Sequence, residues 1–316
     1  MVQNYSSIWI ALLLLSGGLF LLFCGGEMLV AGATRLARRW GMSPLFIGLT
    51  VVAFGTSMPE LFVSLAATLQ NHPDIMIGNV VGSNIANVGL VLGLSALLLP
   101  LPVKFSRVTR ELYLLMAVSC SLALITWFGY FHRLAGISFM GVLIFYTASS
   151  YRQEANNNRE NGKVGERSVS LWQAAVLVVL GLFLLAIGSD FFIDGAVDIA
   201  RYFKVSDLLI GLTLAAVGTS LPELASSLAA VRRRETEILV GNVVGSNLFN
   251  LLMVLGSTAA LTPFALSPKL LVRDLPVMIV FSAVLWPIRA CWHRVERWHG
   301  LMLLLGYGGY LYLLSR

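Results

Sequence analysis

Long apolar runs separated by short polar segments make up most of the chain. Ten of these runs are long enough to cross the roughly 30 Å hydrocarbon core of a bilayer as helices. They lie near residues 8–30, 44–69, 75–103, 112–131, 134–151, 169–193, 207–231, 238–266, 275–292 and 298–314. A segment that crosses lipid by itself must satisfy its own backbone hydrogen bonds, and a helix does so. The pattern therefore predicts an all-α integral membrane protein with ten transmembrane helices.

Two polar segments indicate how the chain is divided. The first seven residues carry no basic side chain and the run after them is too long for a cleavable signal, so we expect this run to remain as a span. Residues 152–168 form a polar segment between the fifth and sixth runs. We therefore expect a five-helix repeat at 1–151, a flexible cytoplasmic connecting loop at 152–168 and a second five-helix repeat at 169–316, all within one membrane domain.

The two halves contain the same two motifs at a constant offset of 163 residues. Residues 47–61 (IGLTVVAFGTSMPEL) align with residues 210–224 (IGLTLAAVGTSLPEL) at 11 identical positions of 15. Residues 78–87 (GNVVGSNIAN) align with residues 241–250 (GNVVGSNLFN) at 8 identical positions of 10. Because each half has an odd number of spans, the second copy enters the membrane from the opposite side, which predicts an inverted-topology repeat.

Each first motif contains residues that interrupt a helix. Gly55 and Pro59 lie in the second run, and Gly218 and Pro222 lie in the seventh. A proline has no backbone N–H, so the carbonyl one turn earlier loses its helical partner and must find another. We expect discontinuous helices in the duplicated motifs, with a transport site between them near the bilayer midplane.

Composition and charge distribution are typical of a bilayer protein rather than a nucleic-acid binder. Hydrophobic residues make up 57% of the chain and charged residues 12%, with a mean hydropathy of +0.81. Of the 22 Lys and Arg residues, 16 fall in loops that alternate topology places on one side. The positive-inside rule makes that side cytoplasmic and puts both termini outside, in a multi-pass protein of the inner (cytoplasmic) membrane. Cys24, Cys120 and Cys291 stand singly, and we expect them to pack rather than bind metal.

Glu60 and Glu223 are the only charged residues in the interior of the second and seventh runs, the latter of which begins at Asp207, and they are duplicates of each other. A carboxylate in mid-bilayer costs several kcal/mol unless it faces a cavity, a partner or a cation. A structural salt bridge would require an intramembrane Lys or Arg, and neither run supplies one. The pair therefore predicts an ion pathway.

Helical spacing groups further oxygens with the two glutamates. Thr56 and Ser57 precede Glu60 by four and three residues, so we expect the three side chains to share a face. The candidate ligands are Glu60, Glu223, Thr56, Ser57, Ser83, Asn87, Thr219, Ser220, Ser246 and Asn250. This set offers oxygen atoms and lacks His and Cys, which suits a hard cation such as Ca²⁺ or Na⁺. Competition of the two ions for one pair of negative charges would be the physical basis of exchange.

Other duplicated polar and small residues fall outside this face. A structural role and a ligand role stay open for the asparagines on other helix faces, Asn79, Asn84, Asn242 and Asn247. Small-x-x-x-small pairs that let helices approach closely are formed by Gly78, Gly82, Gly241 and Gly245.

The remaining charges near span ends are expected to be solvated or to set topology. Solvated acids are expected at Glu27, Asp190 and Asp194, near the ends of the first and sixth runs. Solvated helix starts are expected at Arg110 with Glu111 and at Arg273 with Asp274. The run of arginines at 232–234 is interpreted as a topology determinant.

The paired segments GLTVVAFGTSMPEL…GNVVGSNIAN and GLTLAAVGTSLPEL…GNVVGSNLFN resemble the two alpha repeats of the calcium/cation antiporter superfamily, most closely its prokaryotic Na⁺/Ca²⁺ exchanger branch. The resemblance covers essentially the whole chain. It implies that Glu60 and Glu223 bind Ca²⁺ and Na⁺, that the hydroxyl and amide residues named above contribute oxygens, and that carbonyls of Ala53 and Ala216 complete Na⁺ sites. It also implies alternating access by sliding of the first and sixth helices across a fixed core. Asn250 stands where some members of the family have aspartate, so a third acid is absent and the coupling stoichiometry stays open.

Three other functions compete with Na⁺/Ca²⁺ exchange. A Ca²⁺/H⁺ antiporter would use the glutamates as proton carriers, although the four histidines, His72, His132, His293 and His299, lie outside the motifs. An intramembrane serine protease is disfavoured because no histidine lies where it could act as a buried base. A passive channel is disfavoured by the inverted repeat with a charged midplane site. We therefore expect a transporter rather than an enzyme, with Ca²⁺ and Na⁺ as substrates, the bilayer as surroundings, and no cofactor, nucleic acid or obligate protein partner.

Overall fold

The computed structural model describes residues 8–102, 105–160, 169–204, 218–291 and 294–314. Its principal helices are α1 (Ile8–Trp40), α2 (Pro44–Leu69), α3 (Pro73–Leu98), α4 (Thr109–Trp127), α5 (Arg133–Glu160), α6 (Leu171–Tyr202), α7 (Leu221–Arg232), α8 (Thr236–Leu261), α9 (Leu275–Cys291) and α10 (Arg297–Leu314). A 3₁₀ turn (Phe105–Val108) precedes α4, and a π-helical turn (Leu270–Asp274) precedes α9. Within the described residues, eight helical segments are long and apolar enough to cross a membrane. The prediction of an all-helical membrane architecture is confirmed.

The helices that carry the duplicated motifs are irregular where their sequences are irregular. Helix α2 begins with Ser43 as its N-cap, whose hydroxyl accepts a hydrogen bond from the Phe46 N–H at 3.2 Å. At Ser57 the backbone turns (φ −82°, ψ 1°), and a second helical part, Met58–Leu69, starts with Pro59 in its first turn. Helix α3 becomes π-helical over Asn87–Leu92, and α8 does so over Asn250–Val254. Such π-helical turns are frequent at functional sites.

Helices α1 and α6 run antiparallel and touch through glycines. A Cβ on Gly25 would lie 2.9 Å from the carbonyl oxygen of Gly181, and one on Gly188 would lie 3.1 Å from that of Gly18. These glycines recur every seven residues in both helices, at equivalent positions of the repeat. Their lack of side chains lets the two backbones approach to contact distance.

The motif helices form the centre of the molecule, and α1 and α6 lie outside it. All residues in the most apolar window of α8 are buried, against 22% in α1 and 28% in α6. Two short strands, β1 (Tyr130–Phe131) and β2 (Phe264–Ala265), pair antiparallel and join the segment after α4 to the segment after α8. A single bridge from Leu101 to Val295 joins the segment after α3 to the segment before α10. Each of these connections links the first half of the chain to the second.

One helix extends well beyond its apolar run, and one expected loop is partly helical. Helix α1 continues to Trp40, ten residues beyond the apolar run that ends near residue 30, because polar and basic residues at a helix end still have good helix propensity. Helix α5 continues to Glu160, so residues 152–160 are helical rather than a flexible loop. The carboxylate of Glu154 accepts the Ser43 N–H at 2.6 Å, which ties this extension to the start of α2. Residues 161–168 and the first half of the seventh run, residues 205–217, lie outside the described residues.

The acidic residues expected to be solvated at helix starts are buried. Glu111 is 6% exposed and accepts a hydrogen bond from the Tyr146 hydroxyl at 3.2 Å. Asp274 is 9% exposed, pairs with Arg273 at 3.0 Å and accepts a hydrogen bond from the Tyr310 hydroxyl at 3.1 Å. The tyrosines supply the polar partners that let these carboxylates leave water.

Candidate ion-binding site

Glu60 and Glu223 occupy equivalent places at the starts of two helical segments. Glu60 lies in the first turn of Met58–Leu69, and Glu223 lies in the first turn of α7. Both side chains are completely buried, and they are close enough to interact electrostatically. Because a helix N-terminus carries partial positive charge, each helical segment stabilises the carboxylate in its first turn.

The two carboxylates have no conventional partner among the described residues. Neither oxygen of Glu60 nor of Glu223 receives a hydrogen bond there, and neither side chain forms an ion pair with a described Lys or Arg. Hydroxyl groups of the set do lie beside them: those of Thr219 and Ser83 next to Glu60, and those of Thr56 and Ser246 next to Glu223. Buried carboxylates with unsatisfied oxygens are costly, and a bound cation is the partner that would offset this cost.

The threonines cross from one repeat to the other. The Thr56 hydroxyl donates to Asn242 Oδ1 at 3.1 Å and lies 3.3 Å from Ser246 Oγ. In the same way, the Thr219 hydroxyl donates to Asn79 Oδ1 at 3.1 Å and lies 3.2 Å from Ser83 Oγ. The backbone break at Ser57 places Thr56 with α8 and Glu223, whereas the spacing on a continuous helix predicted a face shared with Glu60. Each threonine hydroxyl therefore lies beside the glutamate side chain of the opposite repeat.

Asn79 and Asn242 also fix the backbones of the two glutamates. Asn79 Nδ2 donates to the Glu60 carbonyl at 3.2 Å and to Ser64 Oγ at 2.9 Å. Asn242 Nδ2 approaches the Glu223 carbonyl at 3.4 Å and Ser226 Oγ at 3.1 Å. Each asparagine therefore donates from Nδ2 to the glutamate segment of its own repeat and accepts at Oδ1 from the threonine of the opposite repeat.

The asparagines at the two π-helical turns are buried and incompletely paired. Asn87 Nδ2 donates to Asn247 Oδ1 at 3.0 Å, which leaves Asn87 Oδ1 without a donor among the described residues. Neither amide atom of Asn250 has a hydrogen-bond partner there, and the same holds for Asn84 Oδ1. Asn247 Nδ2 approaches the Asn84 carbonyl at 3.4 Å, so Asn84, Asn87 and Asn247 also connect α3 to α8.

The remaining predicted ligands differ in how much the structure says about them. The hydroxyls of Ser57 and Ser220 are buried and have no hydrogen-bond partner among the described residues. The Ala53 carbonyl accepts the Ser57 N–H at 3.0 Å, and the Thr56 hydroxyl approaches it at 3.5 Å. Ala216, whose carbonyl was the corresponding expectation in the second repeat, lies outside the described residues.

The structure groups part of the predicted ligand set, with the hydroxyls of Thr219 and Ser83 beside Glu60 and those of Thr56 and Ser246 beside Glu223. It also adds four residues to the surroundings of this set. These are Asn79, Asn84, Asn242 and Asn247, for which a structural role and a ligand role were both open. Their duplication was the available signal, but helical spacing on its own separated them from the glutamates. Among the described residues, no group of three or more His, Cys, Asp or Glu side chains is placed to hold a metal ion. The chemistry is that of two carboxylates among hydroxyl and amide oxygens, which suits hard cations.

Comparison with known proteins gives one consistent family. A family model described as sodium/calcium exchanger protein matches residues 10–152 and 173–316. The inner membrane protein YrbG of Escherichia coli is 38% identical, over 90% of this chain and 90% of its own length. The sodium/calcium exchanger MaX1 of Methanosarcina acetivorans is 32% identical, over 97% of this chain and 99% of its own length. A solved structure of the sodium-calcium exchanger NCX_Mj superposes with a TM-score of 0.84 at 32% identity, over 97% of this chain and 99% of that one.

Proposed function

The chain belongs to the sodium/calcium exchanger family, and on that premise we propose that it is a secondary active antiporter that exchanges Ca²⁺ for Na⁺ across the cytoplasmic membrane by alternating access. The observation that carries the proposal is the pair Glu60 and Glu223, both completely buried and within electrostatic reach of each other, without any protein cation paired to them among the described residues. One Ca²⁺ carries the charge that neutralises both carboxylates, and Na⁺ ions can replace it. Two substrates that need the same two charges cannot bind there together, which is the requirement for exchange.

We further propose which oxygens bind the ions. The two glutamates would be joined by the hydroxyl and amide oxygens of Thr56, Ser57, Ser83, Asn87, Thr219, Ser220, Ser246 and Asn250, with carbonyls of Ala53 and Ala216 at Na⁺ sites. Burial and missing hydrogen bonds support Ser57, Ser220, Asn87 and Asn250 most directly, because their oxygens lack other partners among the described residues. A ligand shell made of oxygen atoms alone favours Ca²⁺ and Na⁺ over softer metals.

The ten-span inverted repeat is the topology that we propose for this site, with repeats at 1–151 and 169–316. Its support is that α1 and its duplicate α6 run antiparallel, as copies of opposite orientation must. Contacts between loops also agree with an alternating path through the bilayer. Arg107 pairs with Glu237 at 2.7 Å and Leu101 bridges Val295, between segments assigned to one side, whereas β1 pairs with β2 between segments assigned to the other. The basic loops make the first side cytoplasmic and place both termini outside.

The conformational step is proposed as movement of α1 and α6 together against the other helices. Two features support it: these helices lie at the periphery of the bundle, as α5 also does, and they contact each other backbone to backbone through their glycines. Access from the two sides would then alternate while the motif helices keep the ligand oxygens in place.

Uptake of ⁴⁵Ca²⁺ into proteoliposomes under imposed ion gradients tests this function and its rival. An outward Na⁺ gradient is expected to drive uptake, and a proton gradient without Na⁺ is not. The opposite result would select a Ca²⁺/H⁺ antiporter of the same superfamily. Ca²⁺ uptake that is the same with and without each of the two gradients would contradict antiport.

A further inference from the structure

Glu27 is the only acidic residue of α1, and it is clamped by two arginines at the end of α7. Its carboxylate accepts a hydrogen bond from Arg232 Nε at 2.7 Å and one from Arg233 Nε at 2.8 Å. The Glu27 side chain is 12% exposed, whereas those of Arg232 and Arg233 are 62% and 39% exposed. The expectation of a solvated Glu27 was therefore wrong: two cations replace the water that this carboxylate would otherwise need.

The clamp closes the contact between α1 and the helix that carries Glu223. On α7, Arg232 follows Glu223 by nine residues, roughly 14 Å along the helix axis. Between Glu223 and Arg232, the backbone of α1 lies in close contact with α7. A Cβ on Gly26 would lie 2.7 Å from the Ala225 carbonyl oxygen. A cavity of about 310 Å³ next to this contact is lined almost entirely by apolar side chains of α1, α6 and α7, with Glu27 and Arg232 at its polar edge.

The residues at the duplicated positions cannot form an equivalent clamp on the opposite side of the molecule. The duplicate of Glu27 is Asp190, whose side chain is exposed, and the duplicates of Arg232 and Arg233 are Leu69 and Gln70. Neither of these can neutralise a carboxylate. The charges therefore hold α1 at the end of α7, whereas the residues equivalent to the two arginines, Leu69 and Gln70, give α6 no charge to pair with at the end of α2.

We propose that Glu27 is a positioning residue that biases the transport cycle: its double ion pair with Arg232 and Arg233 favours the state in which α1 closes the Arg232–Arg234 side of the ion site. This rests on the proposed alternating access. Movement of α1 away from α7 must separate the three charges, and the burial of the Glu27 carboxylate limits screening by salt on its side of the pairs. Because Asp190, Leu69 and Gln70 cannot form the equivalent ion pairs on the opposite side, the two access states are unequal in free energy, and loss of the clamp shifts their populations.

Thiol accessibility tests the proposal on the full-length protein. With Cys24, Cys120 and Cys291 replaced by alanine, an Ala225→Cys reporter lies at the closed contact between α1 and α7. In detergent, a charged maleimide should label it about tenfold faster when Glu27→Gln is added, since the open population rises. An Arg232→Gln/Arg233→Gln variant should show the same acceleration, and combining it with Glu27→Gln should add nothing further. Asp190→Asn is the matched control and should leave the rate unchanged.

Three results would overturn the proposal: unchanged labelling in both clamp variants, additive effects in the combination, or equal acceleration by Asp190→Asn. A second reporter, Ala259→Cys in the buried part of α8, separates clamp release from unfolding, because it should stay unlabelled in every variant. Labelling of that reporter together with Ala225→Cys would also count against the proposal. The assay uses no ion gradient, so its outcome is independent of whether the uptake experiment supports Na⁺/Ca²⁺ exchange.

Discussion

Thr56 in α2 donates a hydrogen bond to Asn242 in α8 at 3.1 Å, across 186 residues of sequence and from one repeat to the other. The duplicate bond, from Thr219 to Asn79, has the same length. Each asparagine also holds the backbone of the glutamate in its own repeat. The positions of the two carboxylates are thus set by two equivalent networks that interlock the halves.

Because the two hydrogen-bond networks are equivalent, substitution of Asn79 and substitution of Asn242 should have similar effects on stability and transport. Asn242→Ala should destabilise the protein by about 1–3 kcal/mol and greatly reduce Ca²⁺ transport, because it leaves buried groups of α2 and α7 unpaired. Asn79→Ala should do nearly the same. Thermal unfolding and ⁴⁵Ca²⁺ uptake measure the two effects, with Ser121→Ala as a control, since that hydroxyl bonds to a carbonyl of its own exposed helix turn. A large effect of one asparagine with none of the other would contradict equivalent networks.

The glycine contact between α1 and α6 predicts a sharp dependence on position. Gly25→Ala puts a methyl group 2.9 Å from the Gly181 carbonyl oxygen, so the helices must separate, at a cost of about 1–3 kcal/mol. Gly17→Ala, in the same helix, meets no atom within 4 Å and should be neutral or slightly stabilising. Melting temperatures of the two variants in one detergent make the comparison. Equal melting temperatures would show that the helices do not depend on this approach.

Ser189 in α6 supplies the hydrogen-bond donor that Pro222, which has no backbone N–H, cannot offer to the Gly218 carbonyl. Its hydroxyl donates to the Gly218 carbonyl at 2.9 Å, the acceptor that a residue with an N–H at position 222 would use in a regular helix. Ser189→Ala should therefore cost about 1–3 kcal/mol in the native background. In a Pro222→Ala background the cost should fall, because the new N–H can reach Gly218.

A double-mutant cycle of unfolding free energies measures this coupling. Identical costs of Ser189→Ala in the two backgrounds would mean that the freed carbonyl has a different partner. Gly26 stands at the equivalent position of the first repeat, so the same cycle is not available there.

The sequence was sufficient to single out the two candidate site residues that duplication and expected burial distinguish. Glu60 and Glu223 could be identified because two unpaired acids in equivalent apolar runs have few structural explanations. Helical spacing could not place Thr56, since the turn at Ser57 rotates it away from the face that a continuous helix would give it. The hydrogen bonds from the threonines to Asn242 and Asn79 were missed for the same reason.

Charged residues near helix ends were the least predictable. The environment of Glu27 depends on arginines that are 205 and 206 positions away in the sequence. That of Glu111 depends on a tyrosine hydroxyl from a neighbouring helix. A local pattern of charges near the end of an apolar run cannot distinguish water from such partners, because the choice is made by helix packing.

Isothermal titration of Ca²⁺ into the purified protein, with Na⁺ absent, tests most directly whether two glutamates from opposite repeats form one site. We predict a single saturable site per chain in the wild-type protein, with binding lost in Glu60→Gln and equally lost in Glu223→Gln, while both variants keep the wild-type melting temperature or exceed it. Saturable binding that survives either substitution would contradict a shared site.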